Sequence, residues 1–275
     1  MVHIINSALM DEILEKCAVF DIPMLGVAPV GRWNTPLFEP WIPESFHPLH
    51  IFPHARSVIV LGLPVSLPVI ETTPSIYYHE LYRTINSLLD QYGYRLSNFL
   101  NRKGHPSVFV PRDGYGDIDV LIDNPKAFFS HKHAAFLAGL GSFGVNNTLL
   151  TKEYGPRVRF TSIFTTAELP PDPLLGEELC IRCMDCVHKC PVGAIDEEDY
   201  PGGLIRKDLC ARYSKKLRDR YISPCGVCIK VCPVGEDRVM YAREDVSVYG
   251  DEGEGSGLRD AWEHVRRYGG KSNHP

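Results

Sequence analysis

No stretch of the 275 residues approaches 18 consecutive apolar side chains, so a membrane-spanning helix is not expected. Met1 to Phe20 has no basic leader, no long apolar run and no twin-arginine pair, which argues against export and for a cytoplasmic protein. Positive charge is not in excess: 29 Lys and Arg stand against 34 Asp and Glu, a net charge of −5. The chain therefore has no overall electrostatic pull toward nucleic acid. Cysteine is nearly absent outside one segment, for only Cys17 of the nine lies outside positions 180–232. A disulfide framework would spread its cysteines through a small secreted domain, so that class is excluded.

The segment that does hold cysteine decides the class. Cys180-x2-Cys183-x2-Cys186-x3-Cys190-Pro191 is the bacterial ferredoxin run, whose fourth cysteine ligates the other cluster. Two-residue gaps wrap three thiolates around one iron–sulfur cube, and the next cysteine points to a neighbour. Cys210 and Cys225-x2-Cys228-x3-Cys232-Pro233 repeat the pattern, with the first ligand displaced upstream by an insertion. Crossing the fourth ligands gives one [4Fe–4S] set of Cys180, Cys183, Cys186 and Cys232. The other set is Cys190, Cys210, Cys225 and Cys228, and no cysteine of the eight is left over. Cys-Pro-Val-Gly occurs at both 190–193 and 232–235. Structural zinc favours separated cysteine pairs and needs neither the x2-x2-x3 run nor the paired Cys-Pro endings. Cys17, on an apolar helix face, reads as a small buried hydrophobe.

About 170 residues precede the clusters, with the alternation of an α/β core. Leu9, Ile13, Leu14, Cys17 and Ala18 form one face of a helix behind a Ser7 cap. Ser57–Leu63 is a continuous apolar run, as in a buried strand. Helical spacing runs from Tyr78 to Leu100 and from Lys126 to Leu140. Further strands are expected at 107–110, 148–151 and 158–165. The Pro-rich stretch Leu169–Pro173 marks a boundary, and a short helix is expected over Leu258–Tyr268, after the acidic and Gly-rich Asp251–Gly257.

The segment Ala134-Ala-Phe-Leu-Ala-Gly-Leu-Gly-Ser-Phe-Gly-Val-Asn-Asn-Thr-Leu-Leu150, followed by Tyr154-Gly-Pro-Arg-Val-Arg-Phe160 and the ferredoxin run, resembles the signature of epoxyqueuosine reductases. The Gly-Pro-Arg-Val-Arg stretch is closer to the related reductive dehalogenases. The resemblance implies an α+β chain: a nitroreductase-like α/β domain over residues 1–172, a ferredoxin-like module with two [4Fe–4S] clusters over 173–245, and a tail with a short helix over 246–275. It implies cobalamin held base-off between the two units, receiving electrons from the clusters. Gly139, Leu140, Gly141, Ser142, Gly144, Asn146 and Asn147 would line the corrin; a helix C-cap and tight turn would use the same glycines.

Departures from the family pattern shape the rest. The family's acidic proton donor falls near Pro125, and its V-L-E-R segment becomes Phe129-Ser-His-Lys132. Phe143 and Val145 replace the expected Trp and Lys. His131 and His133 are candidate proton carriers, because imidazole titrates near neutral pH. So is Asp119, in a polar loop with Asp113, Tyr115, Asp117 and Asp123, where turn formation is the simpler role. Tyr77, Tyr78 and His79 open a helix and could face a pocket; Arg157 and Arg159 could bind an anion or lie on an exposed strand. The expected activity is reduction of a small electrophilic molecule, with electrons from a low-potential donor of ferredoxin or flavodoxin type. Without the helical-repeat extension of the tRNA-acting enzymes, and with net negative charge, tRNA is not expected as a partner. The rival reading is an electron-transfer or reductive-activator protein without substrate chemistry, and nothing resembles a flavin signature.

Overall fold

The structure is a computed structural model that describes residues 6–34, 44–113, 116–124, 127–200, 205–250 and 257–268. Tyr115, the Pro125 position and the acidic stretch 251–256 lie outside the described residues.

A four-stranded antiparallel sheet in the order β1-β2-β6-β3 forms the centre of the body. Its strands are β1 (Met24–Pro29), β2 (Ser57–Pro64), β3 (Ser107–Val110) and β6 (Val158–Thr165). The β2 run is buried on both faces, which is why it reads as continuous rather than alternating hydrophobicity. Its side chains still divide by pleat. Ile59, Leu61 and Leu63 join one core with α1 (Ser7–Val19), α3 (Leu67–Ile70) and α4 (Ile76–Arg102). Val58 and Val60 join a second core with α2 (Pro48–Ile51) and α6 (His131–Leu137). The body is thus helix, sheet, helix, and β1 is the strand that sequence periodicity did not anticipate.

Several boundaries moved. Asn6, not Ser7, caps α1, its side chain accepting from the Leu9 amide at 2.9 Å. Leu14 points outward at the helix edge, while Cys17 is buried as expected. The helix expected from Lys126 begins only at His131, behind Ser130 in extended conformation. The short pair β4 (Ser142–Phe143) and β5 (Leu149–Leu150) turns the signature segment back on itself.

The cysteine module follows as irregular chain punctuated by α7 (Asp185–His188), α8 (Lys207–Arg218), α9 (Val227–Lys230) and α10 (Asp237–Met240). Its small core is Val145, Cys186, Ile195 and Val231, so the body contributes Val145 from the signature. One sequence motif bolts the units together. Arg157 of Gly155-Pro-Arg157 is fully buried and forms a bidentate pair with Asp237, at 2.7 and 2.6 Å. It also donates to the carbonyls of Val234 (2.6 Å) and Cys232 (3.3 Å). Gly155 has φ +52°, and a Cβ there would stand 1.9 Å from the Val234 carbonyl oxygen. Arg157 is neither an exposed strand residue nor an anion ligand, because its charge and its forked geometry are consumed inside the joint. The last helix, α11 (Gly257–Arg266), seats Trp262 and sends Arg266 to the carbonyls of Glu71 and Thr72, both at 3.0 Å.

Candidate functional site

The eight thiols of the module are unpaired and fall into two groups. Cys180, Cys183, Cys186 and Cys232 line one small hollow, closed on the body side by Gly144, Val145, Asn146 and Leu150. Burial pushes the Cys186 thiol up to about 12, reinforced by Cys232, Cys183 and Cys180. Burial likewise raises Cys225 to about 11, with Cys210 and Cys190 adding to it. Cys228 is driven well above the usual thiol range by burial, then by Cys225, Cys210, Cys186 and Cys190, so the two groups abut. Thiols this crowded stay protonated unless a cation draws the protons off, which is what iron ligation does. Among the described residues no three His, Cys, Asp or Glu side chains converge on a single ion. The donor set suits a cluster that spreads its thiolates around a cube.

Beside the second group lies a large cavity. One lobe, of about 530 Å³, is bordered by Cys210, Lys132, Asn147, Lys207, Arg218, Asp117 and Leu121. An adjoining lobe of about 400 Å³ is bordered by Cys228, Tyr78, His131, Arg159 and Gly226. Tyr82, Asp113, Lys132 and Pro224 line both, so they form one open cleft between body and module. These volumes are in the range of cofactor and ligand sites. The cleft mixes apolar surface with amide, hydroxyl and cationic groups, which suits a large macrocycle bearing polar side chains.

The signature segment is placed differently from its expected role. A Cβ on Gly139 would meet the Pro173 carbonyl oxygen at 2.0 Å, and one on Gly141 the Leu150 carbonyl oxygen at 2.0 Å. These glycines admit the chain's own backbone. Leu140 packs in the second core, Ser142 accepts from the Leu179 amide at 2.9 Å, and Asn146 donates to the Cys228 carbonyl at 3.4 Å. Ser142 and Asn146 therefore join the two units, Gly144 borders the Cys180 hollow, Leu140 and Gly141 pack within the body and Gly139 against Pro173, and of the expected cofactor set only Asn147 lines the cleft.

The expected proton carriers are also redistributed. His131 borders the cleft, but its Nδ1 meets the Ser162 hydroxyl at 2.9 Å and its Nε2 meets the Pro111 carbonyl at 3.0 Å. Burial pushes it down to about 4, so it is neutral at pH 7. His133 is buried between Ser130 and Tyr200, both at 2.6 Å, and burial holds it well below the usual range. Asp119 sits on α5 (Ile118–Asp123), outside the cleft lining, 2.6 Å from Lys215 of α8. Tyr77 is exposed, Tyr78 is buried in the cleft wall, and His79 contacts the Ser223 carbonyl at 2.6 Å.

Sequence reasoning passed over Lys132, the residue between the two histidines. Its Nζ donates to the Asn147 carbonyl at 2.8 Å and to the Asn147 side-chain oxygen. Burial, then the nearby Lys207, brings it down to about 7. Little in the sequence pointed to it: a lysine in the first turn of α6 reads as a solvated charge, and only the cleft that closes around it shows otherwise. Arg159 is on the cleft as a wall element, 4.3 Å over the Tyr82 ring and 3.3 Å from Asp113.

Comparison with known proteins fits this geometry. The family description "4Fe-4S binding domain" matches residues 175–196. A tetrachloroethene reductive dehalogenase of Desulfitobacterium hafniense is 27% identical over 193 residues, covering 64% of this chain and 32% of the relative. An epoxyqueuosine reductase of Bacillus cereus is 31% identical over 219 residues, covering 71% and 52%. The chain thus spans about a third to a half of these relatives. Among solved structures, a reductive dehalogenase matches with TM-score 0.62 at 18% identity, over 89% of this chain and 36% of that one. An epoxyqueuosine reductase crystallised with a modified tRNA-Tyr stem loop matches with TM-score 0.54 at 20% identity, over 82% and 65%.

That last neighbour corrects the expectation that tRNA is not a partner. Net charge was the wrong measure, because α8 and its flanks gather Arg206, Lys207, Arg212, Lys215, Lys216, Arg218 and Arg220 in one stretch of chain, of which Lys207 and Arg218 border the cleft. No helix among the described residues is long and apolar enough to cross a membrane. With its 4Fe-4S binding region, its α/β body and these relatives, the chain is a homologue of the reductive dehalogenases and epoxyqueuosine reductases.

Proposed function

We propose that this protein is an iron–sulfur, corrinoid-dependent reductase that carries electrons through two [4Fe–4S] clusters into the cleft. The observation that carries this reading is the junction of Cys210 and Cys228 with the large cleft: one group of thiols borders a space of the size that cofactor sites have. Cys180, Cys183, Cys186 and Cys232 would hold one cluster, and Cys190, Cys210, Cys225 and Cys228 the other. The solved dehalogenase neighbour is described through B12-dependent dehalogenation, which supports the choice of cofactor. Bound in the cleft, a corrinoid supplies strongly reducing, nucleophilic chemistry toward an electrophilic carbon or halogen.

The chain's own residues do the rest. Lys132 holds a proton at Nζ with an affinity matched to neutral pH and is aimed by Asn147. Reduction of a carbon–halogen bond consumes two electrons and one proton and releases halide; Lys132 is the proton's source. Arg159, Asp113 and Tyr82 form a braced wall that keeps the cleft open. The basic α8 favours a second reading, in which the electrophile is borne on RNA.

The test is anaerobic reconstitution followed by iron analysis and titration with cob(II)alamin. About eight irons per chain are expected from two four-thiolate sets. The corrinoid spectrum should move toward a base-off form, with a rise in melting temperature. Zinc without iron, or no response to corrinoid, overturns the respective part. A modified tRNA stem loop whose binding weakens steeply with salt would select the RNA-borne substrate.

A further inference from the structure

Arg238 is 1% exposed, yet among the described residues its hydrogen bonds go to no carboxylate. It donates to the carbonyls of Cys232 (2.8 Å), Lys230 (2.6 Å) and Arg243 (3.0 Å), and to the Tyr249 hydroxyl (3.2 Å). Arg157 reaches the same Cys232 carbonyl from the other side, but Asp237 neutralises it at contact. Around Arg238 the charges do not balance. Glu71 is the buried carboxylate here, and it already accepts Arg243 at 2.9 Å and the Tyr249 hydroxyl at 2.6 Å. Lys230 adds another cation, 5.4 Å over the Tyr249 ring. Burying a guanidinium without a counter-ion is costly, so this one needs negative charge from elsewhere. A cluster on Cys180, Cys183, Cys186 and Cys232 is net negative and becomes more so on reduction.

We propose that Arg238 is the counter-ion of the Cys232-ligated cluster and sets its reduction potential above that of its neighbour, so that this cluster receives electrons first. The inference rests on the two-cluster reading. A fixed positive charge beside the peptide of a ligand stabilises the reduced state more than the oxidised one, and hydrogen bonding and net charge are what tune such clusters. Arg238 reaches the Cys232 end of the second cysteine run through the Cys232 and Lys230 carbonyls, while the Lys230 ammonium acts on Cys225 of the other set, so Arg238 is the cation particular to the Cys232 side. Arg238 is thus a positioning residue for electrons, acting through the field at one ligand.

The test uses the full chain, reconstituted anaerobically, with redox titrations followed by electron paramagnetic resonance. Cys228→Ala assigns the signals. Arg238→Gln should lower the reduction equilibrium of the Cys232 cluster about tenfold, which is about 59 mV for a one-electron couple. Arg238→Lys keeps the charge and should stay within about threefold of the parent. Glu71→Gln removes the competing negative charge and should shift the same cluster the opposite way. The lysine and Glu71 variants decide the question even if Arg238→Gln fails to fold. The proposal is overturned if Glu71→Gln moves neither potential, if Arg238→Lys behaves as a loss of charge, or if the shift appears at the Cys228 cluster. An iron count below eight in the parent overturns the two-cluster reading instead.

Discussion

The two thiol groups live in different surroundings. The Cys180 group surrounds a small hollow that Gly144, Val145, Asn146 and Leu150 close on the body side, with Cys183 and Ile181 exposed beside it. In the other group two members, Cys210 and Cys228, border the large cleft. One group thus opens into the cleft and the other does not. The difference arises from the join between the units, where Val145 and Asn146 of the signature segment sit against the Cys180 hollow and Arg157 holds the Cys232 carbonyl.

The comparison can be broken most strongly at the thiols. Cys183→Ala and Cys228→Ala should each cost about half the iron. The first should leave the spectral response to cob(II)alamin in place, because the cleft wall is untouched; the second should abolish or weaken it. Equal effects on corrinoid binding would remove the distinction between the set that borders the cleft and the set that does not.

The next largest effect is at the join itself. Asp237→Asn leaves the Arg157 guanidinium buried without its partner, a change worth roughly 3–5 kcal/mol when such pairs are broken. Denaturant unfolding of the reconstituted protein should show a lower midpoint, with early loss of iron. A midpoint unchanged from the parent would mean that the pair does not clamp the module.

Within the cleft, Lys132 separates proton delivery from structure. Its folded value, about 7, lies below the 10.5 of a free lysine. Between those values the unfolded chain binds the extra proton, so this group makes stability rise as pH increases from about 7 toward 10.5. Lys132→Met should flatten that rise and stabilise the protein most at the acid end. It should also remove a pH-rate limb near 7 from substrate reduction. A parent whose melting temperature does not climb over that window, relative to the variant, contradicts the assignment.

The smallest effect is expected on the outer rim. Asp117 and Asp119 of α5 pair with Arg218 and Lys215 of α8 in exposed positions, where ion pairs contribute little. Asp119→Asn should leave both the melting temperature and the reduction rate close to the parent. A large loss of turnover would restore Asp119 as a proton donor.

Much of the fold was legible where neighbours in sequence are also neighbours in space. Ser107–Val110 and Val158–Thr165 are strands as the pattern required, and the long α4 follows its apolar spacing. The cleft was less legible, because its walls come from Tyr82, Asp113, Lys132, Arg159 and Lys207, positions far apart in the chain. His131 and His133 were chosen for their free-solution chemistry, and burial changed that chemistry. Overall charge concealed the basic α8 for a similar reason: a sum over the chain does not record where its members gather.

The cysteine spacing determined by itself that this protein is built for iron–sulfur clusters, since two-residue gaps can be satisfied locally by one small group. The same holds for the α/β body, whose apolar periods state which face each element must bury. Tertiary structure alone decided what the glycine signature does. Gly139 and Gly141 read equally well as room for a cofactor or for backbone, and only the approach of Pro173 and Leu150 shows that backbone fills it. It also decided the fate of two arginines two residues apart on one strand edge. Arg157 became the bolt between the units and Arg159 a wall of the cleft, because what surrounds a side chain depends on elements that arrive from elsewhere in the chain.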